Sequence, residues 1–243
     1  TIDTLRADRL GGYGNRGGFT PNLDRLASEG VTFERVSAPY PLTLPSHASI
    51  FTGRYPDSTG VRNNGSFVVP ESETTLAEVL KRCGFQTAAV IGAYPLASRF
   101  GLAQGFDRYD EDLPRLEATA PGGMPAFFPE RDARAVTNRA IGTWRSLRGG
   151  RRFLWVHYYD PHEPYAPPPA FAARHRGAPY DGEVEYVDSE LGRLLGEVEK
   201  DAPRTLVTVM SDHGEGLGEH GEETHGRFLY ESTLHVPWIL RAP

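Results

Sequence analysis

Thr205-Leu-Val-Thr-Val-Met-Ser-Asp-His-Gly-Glu-Gly-Leu-Gly-Glu-His-Gly-Glu-Glu-Thr-His225 is the stretch on which the reading of the chain turns. Its first six residues are apolar and β-branched and read as a buried strand of a parallel sheet. The run breaks off at Ser211-Asp212-His213-Gly214. In open α/β sheets, ligands sit just beyond the carboxyl ends of strands. Asp212 and His213 therefore leave the sheet where chemistry is usually done, and a loop lets an adjacent carboxylate and imidazole reach one metal ion. Four glycines and four glutamates then precede His225. That composition predicts a polar, mobile loop folded over a site, not a packed helix. A turn with solvated charges would account for Asp-His alone. With the glycines, His220 and His225 added, a metal site is the better reading.

The rest of the chain supplies a domain around this stretch. Its 243 residues are enough for one large α/β domain, taken as 1–243, with a substantial core. Hydrophobic content of 39% and charged content of 24% are ordinary for a globular protein. A net charge of −6 argues against a nucleic-acid partner. The single cysteine, Cys83, excludes an intrachain disulfide. No run approaches a membrane span. Thr1-Ile2-Asp3 reads as the end of a strand, and residues 237–243 as an apolar strand without a tail, so both ends are expected to be incomplete.

Helices are predicted over 22–29, with Thr20 as N-cap, over 75–82 with Leu76, Val79 and Leu80 inward, over 129–147, and over 180–200. Strands are predicted over 31–38, 85–91, 152–158 and 235–240. The Pro-, Gly- and Asp-rich stretch 102–128 is expected to be irregular, as a lid over the site or a surface excursion. Residues 39–56 begin as a proline-rich loop and become a short helix near Pro45 or Ser46, ended by Gly53. Thr43 would lie just before its N-terminus, where the dipole and free N–H groups favour an anion. A hydroxyl there is either a helix cap or a nucleophile toward a phosphate or sulfate ester. Asp160 and His162 fall in a stiff proline loop at another strand end.

Strand-end loops thus carry Asp3, Thr43, His162, Asp212, His213 and His225. Two carboxylates, an imidazole and a hydroxyl suit one divalent ion such as Zn²⁺, Mn²⁺ or Ca²⁺. The set, with Thr43-Leu-Pro-Ser-His-Ala-Ser-Ile-Phe-Thr-Gly-Arg54, Asp160-Pro-His-Glu-Pro-Tyr165 and Ser211-Asp-His-Gly-Glu215, resembles the sulfatase-like branch of the alkaline phosphatase superfamily over essentially the whole chain. The resemblance implies an alkaline-phosphatase-like α/β fold, a mostly parallel sheet with helices on both faces, here truncated. It implies Asp3, Thr43, Asp212 and His213 at one metal, and His162 and His225 around the ester oxygens or leaving group. His47, Asn63 and Asn64 are implied on the substrate. A second adjacent metal is not expected, because Asp160 is followed four places on by Pro164, not His.

Sulfatases carry Cys or Ser in a Cys-x-Pro-Ser-Arg pattern that becomes formylglycine. Here it reads Thr43-Leu-Pro-Ser-His47, and threonine cannot yield the aldehyde, so no formylglycine is expected. Threonine is what phosphodiesterases and phosphoethanolamine transferases of the superfamily use. The expected activity is metal-dependent hydrolysis of a small anionic sulfate or phosphate ester. A phosphoethanolamine-type transferase and a non-catalytic anion-binding relative are the alternatives. Localisation is not fixed by the sequence; the full-length protein could be periplasmic or membrane-associated.

Overall fold

The computed structural model of the chain describes residues 1–114 and 129–243. In chain order its helices are α1 (Pro21–Glu29), α2 (Thr43–Thr52), α3 (Pro56–Thr59), α4 (Leu76–Arg82), α5 (Ala133–Ser146), α6 (Pro169–Arg174), α7 (Pro179–Asp201) and α8 (Glu231–Leu234). The strands are β1 (Val31–Thr32), β2 (Gln86–Val90), β3 (Arg108–Asp110), β4 (Arg152–Val156), β5 (Val207–Met210) and β6 (Trp238–Arg241). One sheet runs β3-β2-β4, all parallel, and another runs β1-β6-β5, antiparallel. Ile2 joins them through parallel bridges to Tyr158, just past β4, and to Ser211, just past β5. The centre of the assembly is therefore parallel and its far edge antiparallel, which bears out the mostly parallel α/β fold.

Side-chain alternation along β2 separates two cores. Ala88 and Val90 pack with α1, α5 and α7 through Leu23, Leu26, Val136, Val184 and Leu191. Ala89 and Ile91 face Leu44, Ala48 and Phe51 of α2. Period-two alternation sends neighbours to opposite faces, so helices cover both sides of this sheet.

Several boundaries differ from expectation for identifiable reasons. The helix expected from 129 begins at Ala133, because Asp132 caps it by accepting the Ala135 N–H at 2.8 Å and Glu130 is held by a bridge to Ala93. In α4, Leu76 and Val79 are exposed and Ala77 faces in. A capping box between Thr75 and Glu78, with Thr75 Oγ1 donating to Gln104, sets that rotation. Thr20 makes no side-chain cap bond to α1. Asp188 of α7 accepts the Asn22 and Leu23 N–H groups instead, at 3.1 and 2.8 Å. The strand expected over 31–38 shortens to β1 plus a bridge from Ser37 to His235. Within β5 only Val209 is buried, because the edge away from β6 is met only at its end by Ile2. The lid question for 102–128 falls largely on 115–128, which lie outside the described residues; Arg108–Asp110 form β3.

Candidate metal and catalytic site

The site lies where Ile2, β4 and β5 end together. Ser211 Oγ accepts from the Leu5 N–H at 2.9 Å and donates to the Ile2 carbonyl at 2.8 Å, fastening residues 2–5 to the end of β5. Between them, Thr4 is held at φ 53°, an outlier for a β-branched residue, with its hydroxyl on the Pro161 carbonyl. The kink turns the chain straight after Asp3.

Asp3, Asp212 and His213 are wholly buried, and one ligand atom from each lies within 4.8 Å of the others. His213 Nε2 stands 3.4 Å from Asp3 Oδ1 and 3.6 Å from Asp212 Oδ2. These spacings are longer than hydrogen bonds. Among the described residues, both Asp3 carboxylate oxygens, Asp212 Oδ2 and His213 Nε2 have no hydrogen-bond partner. Leaving a buried charge uncompensated costs several kcal/mol. Burial accordingly raises Asp3 to a pKa of about 7. Burial, reinforced by the Asp3 charge, lifts Asp212 well above the carboxylate range. Burial and the nearby His225 hold His213 well below its usual value, in the neutral form that ligates metals. The donor set fits a divalent cation, which would supply the missing partner for every one of these atoms.

Thr43 is buried and opens α2 as its first residue, ahead of the start expected near Pro45 or Ser46. Gly53 ends the helix at φ 68°. Ser46, one turn on, donates to the Asp212 carbonyl at 2.6 Å. His47 Nδ1 lies 2.8 Å from the Thr43 carbonyl and 3.4 Å from Asp212 Oδ2. Both are acceptors, so Nδ1 carries the proton, and Nε2 pairs with Thr1 Oγ1 at 3.0 Å. His47 is fully enclosed. Asn64 Oδ1 accepts the Leu44 N–H at 2.8 Å, satisfying an orphan donor of α2, and Asn63 is exposed.

A second grouping, His47, His157 and Asp212, also brings one ligand atom from each within 4.8 Å. It differs in kind, because both His47 nitrogens are already engaged. His157 follows β4 and is fully buried, with Nε2 3.6 Å from Asp3 Oδ2 and no hydrogen bond to its ring. Burial keeps it well below its usual pKa, hence neutral. The sequence analysis missed His157; the available signal was an imidazole near the end of the apolar run 153–158.

The loop after β5 is not a surface flap. Residues 211–216 are buried, and 218–221 and Glu223 are exposed. Glycine is required at 214 and 216, since a Cβ there would collide with the Ser232 carbonyl and with the Glu222 and Thr224 carbonyls respectively. That close approach lets Gly218 N–H reach the Glu222 carbonyl at 2.9 Å and Gly216 N–H the Thr224 carbonyl at 2.6 Å, folding 214–226 back on itself. His225 is thereby brought against His213, ring centroids 4.4 Å apart, and His162, at 5.0 Å. His162 stacks on Tyr159, and its Nδ1–H donates to the Glu163 carbonyl at 2.7 Å. Desolvation, then the neighbouring His225, lowers its pKa to about 3. For His225 burial acts against the charged form, but a 3.1 Å bond to Glu215 and the charges of Glu215, Asp3 and Asp212 raise its pKa. Glu215, fully buried, is the other residue that the sequence analysis did not single out. His220 turns away and stacks on Tyr230 at 3.9 Å, so it does not join the cluster.

Comparison with known proteins follows this geometry. The family model described as Sulfatase matches residues 1–243. Steryl-sulfatase of Mus musculus is 27% identical over 99% of this chain and 56% of that protein, so the chain spans little more than half of that relative's length. Phosphonate monoester hydrolase of Agrobacterium radiobacter has a similar fold, with a TM-score of 0.76 and 21% identity over 100% of this chain and 67% of that one. A protein solved with its substrate D-glucosamine-2-N,6-O-disulfate gives a TM-score of 0.78 and 21% identity over 100% of this chain and 70% of that one.

Proposed function

The chain belongs to the sulfatase family, and on that premise we propose that it hydrolyses small anionic sulfate or phosphate esters with the aid of one divalent ion and with Thr43 as nucleophile. The observation that carries this reading is the convergence of unpartnered, buried ligand atoms from Asp3, Asp212 and His213. These residues, with the Thr43 hydroxyl, would hold the ion. When bound, it supplies Lewis acidity that lowers the hydroxyl pKa and neutralises charge on the ester.

The chain's own groups divide the remaining work. Thr43 Oγ, its proton released to solvent, attacks phosphorus or sulfur and becomes esterified as the P–O or S–O bond to the alcohol breaks. His225, the one site imidazole whose surroundings favour the charged form, gives a proton to the departing oxygen. Water then cleaves the threonyl ester. His162, neutral and packed beside His225, lines the leaving-group side. Burial of the site excludes bulk water from it.

The test is a panel of aryl sulfates, phosphodiesters, phosphonates and phosphomonoesters, assayed with Zn²⁺, Mn²⁺ and Ca²⁺ and accompanied by metal analysis. Metal-dependent turnover of at least one class supports the reading; stoichiometric metal with no turnover of any class would leave an anion-binding relative. Peptide mass spectrometry is expected to find residue 43 as unmodified threonine.

A further inference from the structure

We propose that the gap between β4 and β5 is a strand-binding slot, and that it takes an apolar stretch of polypeptide about five residues long, running parallel to both strands and into Thr1.

Both facing edges are open. In the orders β3-β2-β4 and β1-β6-β5, β4 and β5 are each paired on one side only among the described residues. At their carboxyl ends Thr1 and Ile2 stand between them. The Thr1 nitrogen donates to the Val156 carbonyl at 2.8 Å, and the Tyr158 N–H donates to the Thr1 carbonyl at 3.0 Å. The Ile2 N–H donates to the Met210 carbonyl at 3.0 Å. These bonds are the end of a parallel ladder. Gln86 N–H reaches the Arg151 carbonyl and His157 N–H the Val90 carbonyl, so β2 takes the odd-numbered residues of β4. Alternation leaves Val156, Leu154 and Arg152 facing the gap, with Met210, Thr208 and Leu206 opposite them.

The gap itself is a cavity of about 620 Å³ with apolar walls. Trp144, Leu194 and Val198 of α5 and α7 form one side and Phe51 of α2 the other, with Phe153 and Leu206 along the edges. Phe153 and Leu154 are only half-buried and Leu206 is 58% exposed, although helices cover both faces of the sheet beside them. Backbone N–H and C=O groups between such walls favour a strand that pairs with them.

Direction selects the occupant. A strand parallel to β4 and β5 runs toward Asp3, so its last residue meets the Thr1 nitrogen, which already holds the next rung. A separate peptide would set its terminal carboxylate against that nitrogen. A stretch continuous with Thr1 carries the ladder through without a break. Its side chains alternate between the α5–α7 wall and the α2 wall, so it is apolar at every position, as parallel strands buried on both faces are. Each of its N–H groups is used, because it has a neighbour on either side.

The experiment compares the 243-residue chain with versions carrying Val-Ile-Val-Ile-Val, Val-Pro-Val-Pro-Val or Gly-Ser-Gly-Ser-Gly ahead of Thr1. In the 243-residue chain, amide exchange followed by NMR should be at least ~10-fold faster at Leu154 and Thr208 than at Trp155 and Val209, whose N–H groups face β2 and β6. The Val-Ile extension should raise the melting temperature by ~5–10 °C and bring Leu154 and Thr208 down to the rates of their neighbours. The proline version is as apolar but lacks the donors, and the Gly-Ser version lacks the side chains; both should stay near the parent. Slow exchange at Leu154 and Thr208 in the parent overturns the inference. So does an equal rise in melting temperature with the proline version, or none with the Val-Ile version. No readout depends on metal or turnover, so the slot is judged apart from the reading of the catalytic site.

Discussion

Ser46 Oγ donates to the main-chain carbonyl of Asp212 at 2.6 Å, and both residues are fully enclosed. This one bond ties the helix that begins at Thr43 to the strand end that carries the metal candidates. The spacing between Thr43, the proposed nucleophile, and the proposed ligands Asp212 and His213 therefore depends on a tertiary contact made one helical turn away from Thr43.

Ser46→Ala should leave a buried carbonyl unpaired and cost about 1–3 kcal/mol of stability. Metal content should be unchanged, since no ligand is removed. Turnover should fall more than metal affinity, because α2 is freed relative to Asp212. Urea denaturation, metal analysis and single-turnover rates on the same preparation check all three; unchanged stability and rate would show that the contact positions nothing.

Asp212→Asn and His213→Ala should each abolish bound metal and activity while the fold survives, because each removes one of the three converging buried donors, Asp3 being the third. The parent should hold one ion per chain. His47 cannot complete a second site while both its nitrogens are engaged. Elemental analysis after dialysis gives the answer, and equal metal content in mutant and parent would remove these residues from the ligand set.

Asp188→Ala should destabilise the protein by about 1–3 kcal/mol without touching the site, since it strips the Asn22 and Leu23 N–H groups of their acceptor. Thr20→Ala should cost less, as Thr20 makes no cap bond. Denaturant midpoints of the two variants would reverse that order if Thr20 were the true cap.

Glu183 gives a pH dependence of definite sign. Burial, helped by the Asp160 charge, pushes its pKa up to about 9, while Oε1 accepts the Ala166 N–H at 2.6 Å. A raised folded-state pKa means that its stabilising contribution is fully present below the unfolded value and is lost as pH rises toward 9. Relative to Glu183→Gln, which keeps the acceptor oxygen, the parent should lose at most about 1.4 kcal/mol per pH unit across that window. Melting temperatures of both proteins from pH 5 to pH 9, taken as roughly spanning the window, should diverge in favour of the variant. Parallel curves would mean that Glu183 ionises in the fold as freely as outside it.

Much of this was legible in the chain. The strand breaking at Ser211-Asp212-His213 and the helix closed by Gly53 come from local patterns, and the structure has both. What was not legible depends on tertiary neighbours. Nothing in the sequence near Thr20 says that Asp188 will cap α1. The amphipathic stripe of α4 could not show that Ala77, not Leu76 or Val79, would face in, because Gln104 and the capping box set the helix's rotation. His157 and Glu215 were hidden differently. One sits in a run that already reads as a strand, and the other is one of four loop glutamates distinguished only by glycines that cannot carry a Cβ.

The central claim is that Thr43 supplies the nucleophile beside a metal held by Asp3, Asp212 and His213. The most direct test is a single-turnover assay of Thr43→Ala and Thr43→Ser at saturating metal, on whichever ester the parent turns over fastest. Thr43→Ala should retain metal binding in weakened form and lose at least ~100-fold in rate, as expected when a covalent nucleophile is removed. Thr43→Ser keeps the hydroxyl and should retain part of the activity. Turnover by Thr43→Ala at near the parental rate would contradict the account and leave Thr43 as no more than the first residue of α2.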